Sequence, residues 1–255
     1  MKKQEKTLLS ALFQRLFIII TVSLPCCAEA SNFLTIKNQV FFAHTGDYVV
    51  FAKGSQRFFL AVKSVDNTGA WIELIEFPSL CYTDRCLLEN GSWKLLVHQL
   101  TSHKKVFLIH LPKNEAHSVF SLDQESNVWN FTSPGAAPIF LNTLLSLELS
   151  PAPQQLIKTQ GKDRRPWSPT VSVQGEKTSN LSAQAWHALW PKGSSLLSDK
   201  NVLIYFTSTS ISPFPLWISI ETSKGHIIVR AIELGKDITS PYPSANLTTK
   251  NPSKT

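Results

Sequence analysis

The feature that most constrains this fold is a series of short β-branched and aromatic runs separated by glycine-containing turns. The first three runs cover residues 47–52, 57–65 and 70–77, and the segments between them contain Gly54 and Gly69. Glycine takes positive φ without strain, so it favours the tight turns that join antiparallel strands. The sequence therefore predicts an antiparallel meander that begins near residue 47.

The same pattern of short runs separated by turns continues to about residue 132. After the turn dipeptide Asn90-Gly91, the pattern predicts further strands over residues 92–100, 106–111, 117–122 and 128–132. About seven short strands at this spacing favour a barrel or a sandwich over alternating β-α-β units. We therefore expect a mainly β fold.

The pattern changes after residue 132. Residues 138–149 are rich in leucine without a clear polar face, so a helix and a buried strand both remain open. Several prolines then exclude a long element. We predict, in chain order, an N-terminal β domain, a proline-rich basic linker, a smaller C-terminal β domain and a flexible tail, at residues 31–154, 155–178, 179–239 and 240–255.

The C-terminal domain is predicted to combine one short helix with a β-hairpin. The helix is expected over residues 182–190, between a cap at Ser179 or Asn180 and Pro191. The strands are expected over residues 202–207, 216–222 and 226–234, with Leu216, Ile218 and Ile220 facing the core.

The first thirty residues have the pattern of an export signal. A lysine-rich start precedes an apolar run at residues 16–24, and Ala28-Glu29-Ala30 matches a signal-peptidase site. We predict cleavage after Ala30. An uncleaved anchor is the alternative, but nine helical residues cover about 14 Å of an apolar layer about 30 Å thick.

Cys27 offers a second alternative for the leader. It follows the apolar run at a place where a lipid could be attached, although Pro25 and Cys26 are poor residues for that motif. Lipidation there would tether the protein to a membrane. Otherwise we expect membrane contact only through an uncleaved leader.

Cys81 and Cys86 are the two cysteines left after processing. In an oxidising compartment we expect them to form a disulfide, and closing so short a loop contributes about 2 kcal/mol. Two free thiols, half of a metal site and a catalytic thiol are the alternatives.

Charge favours an anionic partner. The leader holds four of the 25 basic and two of the 18 acidic residues, so its removal lowers the net charge from +7 to +5. The predicted partner is a protein, a glycan or an anionic lipid surface. Nucleic acid is not predicted, because the basic segment 158–165 has no interleaved aromatic residues.

Histidines cluster in one part of the chain but do not define a metal site. His103 adjoins two lysines and His117 follows a polar turn, so both are expected to face water. Zinc or copper would need several imidazoles together. We predict no metal and no cofactor from the set His98, His103, His110 and His117.

The sequence carries no standard catalytic motif. Glu73 and Glu76 are three residues apart on a predicted strand, so we expect them on opposite faces rather than as a hydrolytic pair. No catalytic residue is predicted.

Tryptophans supply the candidate contact surface. Trp186, Trp190 and Trp217 are expected either to contact a partner or to pack in the core. The sequence thus favours an exported bacterial protein of the periplasm, envelope or secretome that binds or supports without catalysis. The alternative is a hydrolase that acts on a cell-envelope or host polymer.

Overall fold

The computed structural model describes most of the chain after residue 33. The described residues are 34–77, 93–99, 105–113, 118–122, 128–130, 137–158, 164–178, 181–193, 195–208 and 212–242. The predicted leader with Cys27, the cysteine pair Cys81 and Cys86, and His103 and His117 lie outside them. The described residues belong to one compact unit.

The described part of the chain contains three short helices and fifteen strands. The helices are α1 (Ile36–Phe41), α2 (Trp93–Gln99) and α3 (Ala137–Leu145). None of these helices has the length and apolar character needed to cross a membrane.

The strands of the first half are β1 (Tyr48–Lys53), β2 (Gln56–Val65), β3 (Gly69–Phe77), β4 (Lys105–Pro112), β5 (Ser118–Leu122), β6 (Val128–Asn130) and β7 (Ser150–Pro151). Those of the second half are β8 (Leu156–Lys158), β9 (Arg164–Pro166), β10 (Val171–Val173), β11 (Glu176–Thr178), β12 (Ala183–Leu189), β13 (Asn201–Thr207), β14 (Trp217–Thr222) and β15 (Gly225–Gly235).

Eleven strands form one large antiparallel sheet in the order β6-β5-β4-β3-β2-β1-β15-β14-β13-β12-β7. The hairpin β10–β11 attaches to β15 through a short parallel pairing, and β8 pairs with β9 separately. Within the described residues β6 and β7 do not pair with each other, so the sheet is not closed into a barrel. The expectation of a barrel or sandwich is thus replaced by a single open sheet, whose two edge strands have only three and two residues.

Tight turns explain the meander at the centre of the sheet. Gly54 between β1 and β2 has φ +55°, and Gly225 between β14 and β15 has φ +116°. Both values lie in the region that favours glycine, as the turn pattern predicted. The predicted strands corresponding to β1–β6 and β13–β15 are confirmed.

The main core lies on one face of the sheet, which we call the inner face. Helices α1 and α3 pack there, and the same cluster includes side chains from strands as far apart as β4 and β13. Leu216, Ile218 and Ile220 are fully buried in it, which confirms the predicted alternation of that hairpin.

The opposite, outer face carries a smaller core. Helix α2 covers it with Trp93, Leu96 and Val97, whose spacing of i, i+3 and i+4 places them on one helical face. Residues 92–100 were predicted to form a strand, and this prediction is wrong. The sequence contains this helical spacing, but tryptophan and valine also favour strands, so the residue types alone did not distinguish the two.

The predicted helix at 182–190 is also wrong, because these residues form strand β12. Ala183, Ala185 and Ala188 are buried between more exposed neighbours, and β12 pairs along its whole length with β13. Tertiary pairing here overrides the helix preference of alanine, glutamine and leucine.

Residues 138–149, for which helix and strand were both open, begin as helix α3 and end near strand β7. Strands from both sides of the predicted boundary near residue 155 belong to one sheet and share the inner-face core. The chain is therefore described below as one unit.

Candidate ligand-binding site

A cavity of about 290 Å³ lies between the inner face of the sheet and helix α3. This volume is close to the lower end of the ~300–1,000 Å³ typical of small-molecule sites. Nine of its twelve lining residues are apolar. The lining consists of Phe51, Lys53, Gln56, Phe58, Leu60, Leu74, Glu76, Phe140, Leu141, Leu144, Ile218 and Val229.

Cross-strand register aligns part of the cavity wall. Phe51 on β1 pairs with Phe58 on β2, and Phe58 pairs with Glu76 on β3. Glu76 in turn pairs with Lys105 on β4. Because directly paired residues share a face, this row places two aromatic rings and one carboxylate side by side.

Helix α3 forms the opposite wall. Leu141 and Leu144 are buried toward the sheet, and Phe140 stacks on Trp190 with 5.1 Å between ring centroids. This contact fixes one end of the aromatic wall to the loop after β12. Both walls of the cavity, the sheet on one side and helix α3 on the other, are therefore held by contacts with the core.

Charge in the cavity is confined to two residues. Lys53 is exposed at the end of β1, whereas Glu76 is half-buried. Burial raises the pKa of the Glu76 carboxyl group, and the positive charge of Lys105 opposes this shift. Glu76 is thus the least solvated charged group of the lining.

The three predicted contact tryptophans are all at least partly buried. Trp190 is only 5% exposed and packs against Phe140, whereas Trp186 and Trp217 are half-buried beside the same core. Trp217 packs edge-on against Trp167, with 5.0 Å between ring centroids. These side chains do not form one exposed aromatic surface.

Two of the four clustered histidines lie in the described residues, and their surroundings differ. His98 is exposed on α2, and His110 on β4 stacks on Trp71 at 4.4 Å. Among the described residues, no group of three histidine, cysteine, aspartate or glutamate side chains is arranged to hold a metal ion.

Glu73, Glu76 and Glu233 do not face one common cleft. Glu73 and Glu76 lie on opposite faces, as predicted: Glu76 lines the inner cavity, whereas Glu73 lies 3.8 Å from the Lys63 amine on the outer face. Glu233 accepts a hydrogen bond from Tyr48 on that outer face. A hydrolytic pair would need two carboxylates facing one cleft.

Two serine–histidine contacts occur in the described residues. The Ser219 hydroxyl oxygen lies 3.2 Å from His226 Nδ1 on the β14–β15 hairpin. The other contact, between Ser150 and His187, lies at the edge of the sheet. The Ser150 hydroxyl oxygen lies 3.3 Å from both ring nitrogens of His187, and so faces the carbon between them rather than one nitrogen lone pair. Within the part of the chain that is described, no carboxylate orients His187. The Ser150 contact therefore lacks the alignment of a nucleophile with its base.

Sequence reasoning missed the cavity residues, although part of the signal was present. Alternation in β2 places Phe58 and Leu60 on one face, and the leucine-rich segment provides Leu141 and Leu144. Which segment covers which strands depends on the sheet order, and no local pattern encodes that order.

The fold and the cavity together define a class: a mainly β protein with one open antiparallel sheet and a small apolar cavity under a short helix. Residues 58–179 match a family model described as CT021 protein. A solved structure of the hypothetical protein CT021 from Chlamydia trachomatis is 36% identical in sequence, with a TM-score of 0.67. That similarity covers 83% of this chain and 97% of the solved chain.

The chain belongs to the CT021 protein family. Comparison with curated proteins gave no match. Since the solved relative is described as hypothetical, the family relationship indicates no specific function.

Proposed function

We propose that this protein is an exported, non-catalytic binding protein whose inner-face cavity holds an apolar group of its ligand. The observation that carries this proposal is the cavity wall, in which three phenylalanines and six aliphatic residues surround about 290 Å³. Burying an apolar group there is favourable by roughly 25 cal/mol per Å² of surface removed from water.

The lining supports binding over catalysis. Its twelve residues include one carboxylate, one amine and one amide, and they include no serine, cysteine or histidine. General acid–base hydrolysis needs a second titratable group within reach of the same reacting bond. Glu73 and Glu233 do not supply it, because they lie on the other face.

The leader pattern supports export. A basic start, a short apolar run and Ala28-Glu29-Ala30 occur in the order that a signal peptidase requires. Mass measurement of the mature N-terminus tests this part: Ser31 supports cleavage, an acylated Cys27 supports tethering, and Met1 in cytosolic protein contradicts export.

Binding is tested with N-phenyl-1-naphthylamine, a neutral apolar dye that fluoresces when it leaves water. The protein should bind it saturably at one site. Leu144→Trp should abolish binding by filling the cavity, since Leu144 is a buried lining residue. Val229→Phe repeats the test from the opposite wall, and thermal unfolding checks that both variants fold.

Leu196→Trp is the matched control, because Leu196 is 95% exposed and lies outside the lining. It adds the same indole without touching the cavity, so dye binding should be unchanged. Absence of saturable binding to the wild-type protein, or equal binding by folded Leu144→Trp and Val229→Phe variants, would contradict the cavity as a binding site.

The hydrolase reading makes a different prediction. It predicts turnover of an ester substrate that is lost in Ser150→Ala or in Ser219→Ala, since each serine contacts a histidine. Ser150 lies beside an edge groove that also includes Glu148. Turnover that depends on either serine and persists when the cavity is filled would replace the binding proposal.

A further inference from the structure

We propose that the cavity selects an organic cation, in which an apolar body fills the space under α3 and an ammonium group lies beside Glu76. This inference rests on the proposed binding function and names the chemical class of the ligand. Its basis is the combination of one half-buried carboxylate with the aromatic rings of Phe51, Phe58 and Phe140.

The aromatic wall favours positive charge. The face of a phenyl ring is electrostatically negative, so it attracts an ammonium group within about 6 Å of its centroid. Phe51 and Phe58 are directly paired across β1 and β2, and Phe140 reaches the cavity from α3. A cation between these walls has aromatic surface on two sides.

Glu76 places a carboxyl group at the end of that wall. It is directly paired with Phe58 and is the one acidic residue of the lining. Because it is half-buried, its Coulomb attraction is less screened than that of an exposed carboxylate. A neutral ligand would leave this carboxylate without a new partner.

Two lysines near Glu76 partly oppose its attraction for a cation. Lys105 is paired with Glu76 across β3 and β4, and Lys53 lies in the lining at the end of β1. Both are exposed, so their charges are strongly screened by water. An anionic ligand would gain little from Lys53 and would be repelled by the less solvated Glu76.

Three ligands with the same phenylpropyl body test the inference: 3-phenylpropylammonium, 3-phenylpropanol and 3-phenylpropionate. Displacement of the naphthylamine dye from the full chain at pH 7 gives their affinities. The ammonium should bind about tenfold more tightly than the alcohol, and the carboxylate should bind most weakly.

Two substitutions that keep the side chain at about the same size should change the ammonium affinity in opposite directions. Glu76→Gln should lower the affinity for the ammonium much more than the affinity for the alcohol, so that most of the tenfold preference is lost. Lys53→Met should increase ammonium affinity about two- to threefold, because it removes a repelling charge. For an anionic ligand both effects would reverse.

The outcomes separate this inference from the proposed function. If the alcohol or the carboxylate binds most tightly, or if Glu76→Gln keeps the tenfold preference, the cation inference is wrong and the cavity remains a binding site. If none of the three ligands displaces the dye and the dye itself does not bind, the proposed binding function fails as well.

Discussion

The Tyr48 hydroxyl group donates a hydrogen bond to the Glu233 carboxylate, with 2.9 Å between the two oxygens. Both side chains are buried on the outer face, and they lie 185 residues apart in sequence. The same carboxylate oxygen accepts from the backbone amide of Trp93 at 3.2 Å. One buried carboxylate thus joins β1, β15 and the first residue of α2.

The electrostatics of this contact depend on burial. Desolvation raises the pKa of Glu233, and the hydrogen bonds from Tyr48 and from the α2 backbone oppose this shift. Burial also raises the pKa of the Tyr48 hydroxyl, and the nearby Glu233 charge raises it further. The phenol therefore keeps its proton and acts as the donor.

Tyr48→Phe should destabilise the protein. The substitution leaves the buried Glu233 without one donor, and hydrogen bonds to charged groups contribute about 1.5–3 kcal/mol. Urea denaturation monitored by tryptophan fluorescence gives the free energy of unfolding. The loss should lie in that range.

Tyr205→Phe is the matched control for this experiment. Tyr205 is also fully buried, and its hydroxyl oxygen accepts a neutral hydrogen bond from the backbone N–H of Gln155 at 3.2 Å. Its loss should cost only about 0.5–1.5 kcal/mol. Equal effects of the two substitutions would show that Glu233 gives the Tyr48 contact no added strength.

Gly235→Ala should disturb the same contact from the other side. Gly235 is directly paired with Tyr48, and a methyl group there would overlap the Tyr48 ring. Because the ring is held by Glu233, relieving the overlap must shift β15 or the ring, at a cost of about 1–3 kcal/mol. Gly193→Ala is the control, since nothing lies within 4 Å of its added methyl group. If Gly235→Ala does not change the free energy of unfolding, the close packing at Tyr48 is contradicted.

The sequence predicted the local elements of this fold better than their assembly. Turn glycines and period-two alternation identified the strands of the central meander, because both signals are local. Pairing of β1 with β15 joins segments about 180 residues apart, and no short pattern indicates it. A change in composition near residue 155 likewise carries no information on whether the strands on its two sides pair.

The candidate site was beyond local reasoning for the same reason. Phe58 was recognisable as a strand residue and Leu144 as part of an apolar segment, but their contact with one cavity follows from the tertiary fold. The prediction that Glu73 and Glu76 face opposite ways was confirmed, because it depends only on strand geometry. The tryptophans were singled out by composition, which does not distinguish a core ring from a contact ring.

Lys63→Met should be more damaging than removal of an ordinary surface lysine. The Lys63 amine lies 3.8 Å from the Glu73 carboxylate and donates to the Ser240 hydroxyl at 2.9 Å and the Tyr242 carbonyl at 2.6 Å. Glu73 is fully buried, so loss of the amine removes its counter-charge and should cost about 3–5 kcal/mol.

A double variant isolates the cause of that loss. Adding Glu73→Gln to Lys63→Met removes the charge that needed compensation, so it should recover part of the lost free energy of unfolding. Lys224→Met is the surface control, because Lys224 is exposed in the β14–β15 turn. If the double variant is less stable than Lys63→Met by the full effect of Glu73→Gln alone, the two side chains are not coupled.

Glu76→Gln should change the pH dependence of stability. Burial raises the folded-state pKa of Glu76 above its ordinary value of 4.5, against the opposing charge of Lys105. The wild-type protein should therefore lose stability relative to the variant as pH rises from about 4.5 through the raised pKa, because ionisation is harder in the folded state. The difference in melting temperature, variant minus wild type, should be more positive at pH 7 than at pH 4.

Asp66→Asn supplies a control of opposite sign at lower pH. Hydrogen bonds from Thr68 and Gly69 lower the pKa of Asp66, so its carboxylate stabilises the folded state and this contribution is lost as pH falls from about 3.8 through the lowered pKa. The melting temperature of Asp66→Asn minus that of the wild type should therefore become more negative as pH rises through this range. Melting curves of the two variants that shift in the same direction with pH would contradict the assignment of Glu76 as a desolvated carboxylate.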